Sequence, residues 1–310
     1  MEHETAGDPV SGCKWTRKTT HKIAQQLKRV GIRVSANTVG RLLKKMNFHL
    51  RVNLKTLESG KSKPPDPRQR DLQFRYIRSQ IRAYCAQGLP VISVDTKSRE
   101  LLGPFHSAGR KWTQEPIKVL DHDFPSDSNG VAIPYGIYDL CRNKGFVCVG
   151  TTRDTSEFAV DAIRTWWAKA GSVHYPTADR LLILADCGGS NGYRTRLWKY
   201  KLHAAFCDRF GLQVKVCHYP PGSSKWNPIE HRMFSFISNN WSAQPLYDYE
   251  TVLKFIRTTK TSTGLKIRAV LNKKHYQKGI KVPDEQMAQI TMSRYTLRPN
   301  WNYSISPSRM

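Results

Sequence analysis

Two apolar runs that each end on an aspartate, VISVD at 91–95 and LLILAD at 181–186, constrain this chain more than any other feature. Runs of Val, Ile and Leu this short and this little interrupted suit strands buried on both faces, inside a sheet that helices cover. Turn residues bound each run, and helical periodicity lies between and after them. The spacing predicts strands at 91–95, 133–140 and 146–151. A helix over 156–170 follows, capped by Ser156 and striped by Phe158, Ala159, Ala162, Ile163, Trp166 and Trp167. A strand at 181–186, a helix over 193–210, a strand at 212–219 and a helix over 228–241 complete the order β-β-β-α-β-α-β-α.

That order is the one used by the ribonuclease H-like fold, in which two parallel strands extend three antiparallel ones and helices cover both faces. The fold class read from the sequence is therefore α/β, a mixed five-stranded sheet preceded by a small all-α module. The module comes from residues 20–46. Ile23, Ala24, Leu27 and Val30 fall on one helical face and Gly31 stops the helix; Ser35 then caps a second helix whose stripe is Val39, Leu42, Leu43 and Met46. Asn37, Thr38, Arg41, Lys44 and Lys45 are left facing outward, which is the pattern of a helix-turn-helix whose second helix reads the major groove. A plain basic helical hairpin fits the same periodicity. The expected boundaries are 1–57 for this module and 58–67 for a linker rich in Pro, Ser and Lys, ESGKSKPPDP. The catalytic domain then covers 68–241 with an insertion at 96–131, and a basic extension covers 242–310. That extension holds one predicted helix, 249–259, and otherwise irregular basic sequence.

Charge points to the partner. Fifty Lys and Arg against 24 Asp and Glu give +26, far more than solubility requires, so a polyanion is expected. The surplus is concentrated at the flanks, +11 over residues 1–70 and +8 over 242–310. No run of about 18 apolar residues argues for a membrane, and the polar, acidic start lacks a secretory pattern, so the expected location is the cytoplasm, on the nucleoid. The seven cysteines form no C-x-x-C pair and read mostly as reduced, buried small side chains.

Phosphodiester cleavage needs a group to deprotonate the attacking oxygen and one to stabilise the leaving oxygen, and two divalent cations about 3.5–4 Å apart do both. Hard cations take carboxylate ligands. Asp95 ends the first strand, Asp186 ends the fourth, and Glu230 lies in the first turn of the last helix, behind SSKWNPIEH with Pro228 at the helix start; Ile229, Met233, Phe236 and Ile237 would bury that helix. Taken singly, each acid also reads as a turn or cap residue. Together they stand at the three places one fold brings together. Gly188, Gly189, Ser190 and Asn191 after Asp186, together with Lys225 and Asn227, are candidate DNA contacts, although a helix N-cap also accounts for Asn227. His218 and His231 flank the same helix, and Asp121, His122 and Asp123 form a competing cluster inside the insertion.

The ordered set VSANTVGRLLKKMNF, LKTLE, QFRYI, PVISVDTK, AIPYGIYD, RTWW, LLILADCGGSNGYRTRLWK, CHYPPGSSKWNPIEHRMFSFISNNW and WNYSISP, from about Thr16 to Pro307, resembles the DDE transposases of bacterial insertion sequences of the ISAzo, or Rhodopirellula, type. The resemblance implies a ribonuclease H-like catalytic domain, terminal inverted repeats and target DNA as partners, and Mg²⁺ or Mn²⁺ as cofactor. It also implies Asp95, Asp186 and Glu230 as the acidic triad, and a homo-oligomer on DNA. Cys187 stands where the family pattern has glycine, and less sequence precedes the helical module than is usual, which implies a shortened copy. Two other readings stay open at this point: an inactive copy that represses by occupying the element ends, and a ribonuclease H-like nuclease or integrase with another substrate.

Overall fold

The computed structural model describes residues 6–7, 14–15, 18–50, 66–223 and 226–308. The chain divides into two compact units, Met1–Leu57 and Glu58–Met310. Lys225, Cys13, the segment LKTLE and most of the expected linker lie outside the described residues.

In the first unit, Ala6–Gly7 pairs with Lys14–Trp15, and two helices follow, α1 (Thr20–Arg29) and α2 (Ala36–Lys45). Thr19 caps α1, and Ser35 caps α2 by accepting from the Thr38 amide at 3.1 Å. Gly31, at φ +83°, closes α1: its amide reaches Lys28 O at 3.2 Å and the Ile32 amide reaches Leu27 O at 2.9 Å, so two end carbonyls are satisfied in a left-handed turn. The expected stripe is only partly buried. Ile23 and Val39 are enclosed, whereas Leu42 is 45% and Met46 62% exposed, because two ten-residue helices cannot cover both sides of their own apolar faces.

The second unit starts with α3 (Pro67–Ala86), capped by Asp66 and led by Pro67. The sheet comprises β1 (Val91–Thr96), β2 (Glu100–Leu101), β3 (Val131–Asp139), β4 (Lys144–Gly150), β5 (Arg180–Ala185), β6 (Gln213–His218), β7 (Lys266–Asn272), β8 (Met292–Arg294) and β9 (Asn302–Ile305). Their spatial order is β8-β9-β6-β5-β1-β3-β4-β7, with β2 added against β3. At its centre β4, β3 and β1 are antiparallel and β5 and β6 continue parallel to β1, the ribonuclease H-like arrangement. The sheet has nine strands rather than the five expected. The extra edges come largely from the C-terminal segment: β7 adds parallel to β4, and β9 adds antiparallel to β6 with β8 outside it. Residues 242–310 are therefore a structural part of the sheet and not an irregular tail.

Helices cover both faces. On one side α4 (Ser156–Trp166), running on through a wider π-helical turn at Trp167–Gly171, and α5 (Arg196–Lys201), running on through Leu202–Cys207, enclose Ile92, Val94, Ile183 and Val216. All six residues of the predicted α4 stripe are buried. Its cap is Thr155, which accepts from the Phe158 amide at 3.2 Å; Ser156 donates instead to Ser190 O at 2.6 Å. On the other side, α3 covers Val91, Leu182, Leu184 and Cys217. Beside it lie α6 (a π-helical turn Glu230–Phe234 leading into Ser235–Asn240) and α7 (Tyr249–Thr258), which cover Tyr138, Val147 and Val149. The insertion 97–130 packs down: Leu102 and Phe105 are buried, the Gly103 amide donates to Leu246 O at 2.9 Å, and the Ala243 amide donates to Ala108 O at 3.0 Å.

Cysteine usage departs from expectation at one pair. Cys85, at the end of α3, is disulfide-bonded to Cys141 in the β3–β4 turn, whereas Cys148, Cys187, Cys207 and Cys217 are free.

Candidate active site

The parallel register between β1 and β5 sets Val91 beside Leu182, Ile92 beside Ile183 and Ser93 beside Leu184. Continued two residues past the last paired position, the same register would set Asp95 opposite Asp186, which directly follows β5, at one inter-strand spacing of about 4.8 Å. Side chains alternate along a strand, so both carboxyls leave the sheet on the face that carries Ser93. The start of α6 is fixed to that same face, because the Ser93 hydroxyl accepts from the Ile229 amide at 3.2 Å while donating to Asn227 Oδ1. Glu230 is the next residue.

Glycine makes the close seating of α6 possible. Gly136 lies opposite Asp95 on β3, and a Cβ built there would stand 2.5 Å from Phe234 Cε1 and 2.7 Å from Met233 Cε; at Gly145 it would stand 2.6 Å from Met233 Sδ. The π-helical turn at Glu230–Phe234 also rotates the helix. Phe234 takes the buried position expected of Phe236, which is 36% exposed.

Asn227 is fully buried, and its amide is no helix cap: Nδ2 donates to Asp186 Oδ1 at 3.2 Å and to Val94 O at 3.4 Å. It orients the second aspartate and has no surface to offer DNA. His218 is likewise enclosed, with Nδ1 2.8 Å from Asp186 O and Nε2 3.1 Å from the Tyr303 hydroxyl, and burial depresses its pKa to about 4, so it is a neutral prop behind Asp186. His231 is exposed.

The three acids interact strongly. Burial, then the nearby Asp186, Glu230 and Asp154 charges, push Asp95 up to about 8 against the pull of the Thr96 amide on Oδ1 at 2.8 Å. Burial and Glu230 push Asp186 up to about 6, Asn227 opposing. Glu230 is raised by burial and held back by Lys97, His231 and a hydrogen bond with Asp95. Burial and the neighbouring carboxylates thus disfavour charge on Asp95, the charge that a bound cation would neutralise. Hard oxygen donors crowded in this way fit a divalent metal of the Mg²⁺ class. Among the described residues, no three His, Cys, Asp or Glu side chains are drawn together into a finished metal cage. The rival cluster Asp121, His122 and Asp123 is solvent-exposed, with His122 3.9 Å from Asp121 as its one ion pair.

Asp95 and Asp186 line a cavity of about 650 Å³ with Gly188, Gly189, Tyr193 and Arg194. Gly188 and Gly189 have nothing within 4 Å of an added Cβ and open onto it. Ser190 and Asn191 turn inward: Ser190 is 9% exposed, and Asn191 is 2% exposed and accepts from the Tyr135 hydroxyl at 2.8 Å. The Ser190 hydroxyl lies 3.5 Å from Thr96 Oγ1, beside Asp154, so both side chains are engaged within the protein. Asn37, Arg41, Lys44 and Lys45 are exposed on α2, and Thr38 is half-buried with its hydroxyl 3.0 Å from Ser35 Oγ.

Sequence reasoning passed over Lys97 and Asp154. Lys97 is buried, 2.6 Å from Glu100 and 4.5 Å from the centre of the Trp241 ring, and Asp154 accepts from the Thr96 hydroxyl at 3.2 Å. Lys97 follows Asp95 by two residues and so points to the same face, a signal that strand parity carried; Asp154 precedes a helix cap and gave none.

Residues 1–307 match the family model described as the Rhodopirellula transposase DDE domain. The chain belongs to this family. Among solved structures, the transposase-family chain is similar to the Mos1 transposase paired-end complex with left transposon end, at 14% identity and a TM-score of 0.44, covering 77% of this chain and 65% of that one. It is similar also to a pre-cleavage Mos1 transpososome, at 13% identity and a TM-score of 0.45 over 77% and 66%, and to the Mos1 strand transfer complex, at 13% and 0.46 over 77% and 64%. The chain spans just under two thirds of the length of these proteins. Comparison with curated proteins gives no match. Among the described residues, no helix is long and apolar enough to cross a membrane.

Proposed function

We propose that the protein is a DDE transposase that cleaves and joins DNA at the ends of an insertion sequence, with Asp95, Asp186 and Glu230 as metal ligands. The observation that carries the reading is the topology: two aspartates at the ends of neighbouring parallel strands, with the helix bearing Glu230 hydrogen-bonded at its start to Ser93 of the first. A bound pair of Mg²⁺ or Mn²⁺ ions would supply the Lewis acidity that activates water, or a DNA 3′ hydroxyl, and stabilises the departing oxygen. The chain's own part is to hold the ligands. Asn227 holds Asp186 by a hydrogen bond to its carboxylate, His218 fixes the Asp186 backbone, Ser93 ties α6 to β1, and Lys97 limits the negative charge at Glu230. Gly188 and Gly189 leave room for a backbone beside the acids.

The helical hairpin α1–α2 is the proposed reader of the terminal inverted repeats, as a helix-turn-helix whose Asn37 and Thr38 lie near the start of α2 and whose Arg41, Lys44 and Lys45 meet phosphate. Bringing two element ends together calls for more than one copy, so the acting form is proposed to be a homo-oligomer on DNA in the bacterial nucleoid.

Cleavage of a labelled duplex carrying the inverted repeat that borders this gene tests the reading. Mg²⁺-dependent nicking by the wild type, lost in Asp95→Asn with duplex affinity within about threefold of wild type, is expected. Binding without nicking under Mg²⁺ or Mn²⁺ would support the repressor reading instead, and equal nicking by both proteins would reject the triad.

A further inference from the structure

The cavity that holds Asp95 and Asp186 also contains a cation with a built-in orientation. Arg194 lines it and is exposed to it, and its Nε donates to the Tyr193 hydroxyl at 2.8 Å while the guanidinium lies 5.2 Å from the Tyr193 ring centre. Tyr193 is itself braced, with its ring 6.1 Å from His218 and 6.4 Å from Trp301 in edge-on contacts. His218 in turn is bonded to the Asp186 carbonyl. The arginine is therefore tied, through two rings, to the backbone of a proposed metal ligand.

Using Nε on tyrosine has a chemical consequence. A guanidinium carries five N–H donors in a plane, and occupying the Nε edge leaves the two terminal nitrogens as a fork matched to two oxygens of one anion. Among the described residues that line the cavity Arg194 is the one cationic side chain, set among two carboxylates, glycines, prolines, Cys187, Tyr193 and Thr195, so it is the group there that suits an anion brought by the substrate. Metals held by the acids would take the scissile phosphate, and the fork of Arg194, which lines the same cavity, suits a neighbouring phosphate of the strand.

We infer that Arg194, oriented by Tyr193, clamps a DNA backbone phosphate adjacent to the scissile one and so aligns the strand across Asp95 and Asp186. This rests on the transposase reading above and adds a positioning pair to it. Charge-assisted bidentate contacts of this kind fix geometry as well as affinity, so the loss falls on turnover more than on duplex binding, to which many other basic residues contribute.

The test uses the full chain and a labelled duplex carrying the inverted repeat that borders the gene, made with a single neutral methylphosphonate at each phosphate flanking the cut in turn. Arg194→Ala is expected to lower kcat about 100-fold, the scale for loss of one preorganised donor, with duplex affinity within about threefold and an unchanged melting temperature. Arg194→Lys recovers only part, and Tyr193→Phe loses several-fold. At one flanking position the methylphosphonate slows the wild type to a similar degree but slows Arg194→Ala no further. The clamp is overturned if Arg194→Ala cleaves at the wild-type rate, or if every methylphosphonate slows it as much as the wild type. Asp95→Asn is run beside it. An active Asp95→Asn would remove the underlying reading, whereas an inert Asp95→Asn beside an unimpaired Arg194→Ala would remove the clamp alone.

Discussion

Replacing Gly136 by alanine adds one methyl group at the point where α6 meets the sheet. The new Cβ would lie 2.5 and 2.6 Å from two ring carbons of Phe234 and 2.7 Å from Met233 Cε, and both side chains are buried. Gly136 is not among the positive-φ glycines, so the backbone accepts alanine without strain and would gain about 0.5–1 kcal/mol from the stiffer unfolded chain. Against that stands overpacking, about 1–3 kcal/mol, because Phe234 and Met233 are both buried in a packed interior. The net loss of about 1–2 kcal/mol in a unit of this size lowers the melting temperature by about 2–8 °C. Relief requires α6 to rise from the sheet, which carries Glu230 away from Asp95, so cleavage falls by more than stability alone explains. Calorimetric melting and nicking of the labelled duplex read the two effects separately. Phe234→Leu, which removes the clashing ring, should restore part of both in the double variant. An alanine variant that melts and cleaves like the wild type would refute the argument that glycine seats the helix.

Asp139 is enclosed and accepts from the Tyr175 hydroxyl at 2.9 Å on each oxygen, and burial raises its pKa despite those bonds. The folded state therefore holds a proton that the unfolded chain releases first, so this group's contribution is full below the unfolded value near 3.9 and is lost as pH rises through the raised one. The stability difference between wild type and Asp139→Asn, followed by denaturant melts across pH, should shift against the wild type over that interval; a flat difference would contradict it. Reducing the Cys85–Cys141 bridge, which spans 56 residues, removes up to about 4 kcal/mol of restraint on the unfolded chain, so dithiothreitol should lower the wild-type midpoint and leave Cys85→Ser unmoved.

The centre of the fold was legible because its signals are local and strong. VISVD and LLILAD could only be interior strands, and the tryptophan-rich stripe of α4 could only face a core. The edges were not. KIRAVLN alternates, with Ile267 and Ala269 buried between exposed Lys266 and Arg268, but it read as irregular basic sequence, and NYSI is too short to announce a strand until β6 is there to pair with it. In the candidate site, the three acids were singled out by their positions at element ends and remain the proposed ligands. Asn227 was misread because a side chain directly before a helix is usually a cap; here Ser93, 134 residues away in sequence, performs that role and frees the amide for Asp186. The phase error at Phe236 has the same origin, since a π-helical turn breaks the 3.6-residue period on which the stripe was counted. Ser190 and Asn191 sit in a glycine-rich loop whose composition suggests ligand approach, and only tertiary contacts show that Tyr135 and Ser156 claim them.

Anomalous diffraction from crystals soaked in Mn²⁺ measures the central claim most directly. Two peaks about 3.5–4 Å apart are expected between Asp95, Asp186 and Glu230, and neither should form in Asp95→Asn crystals. Manganese held at Asp121 and Asp123 instead, or absent from the three acids while DNA is cleaved, would contradict the account.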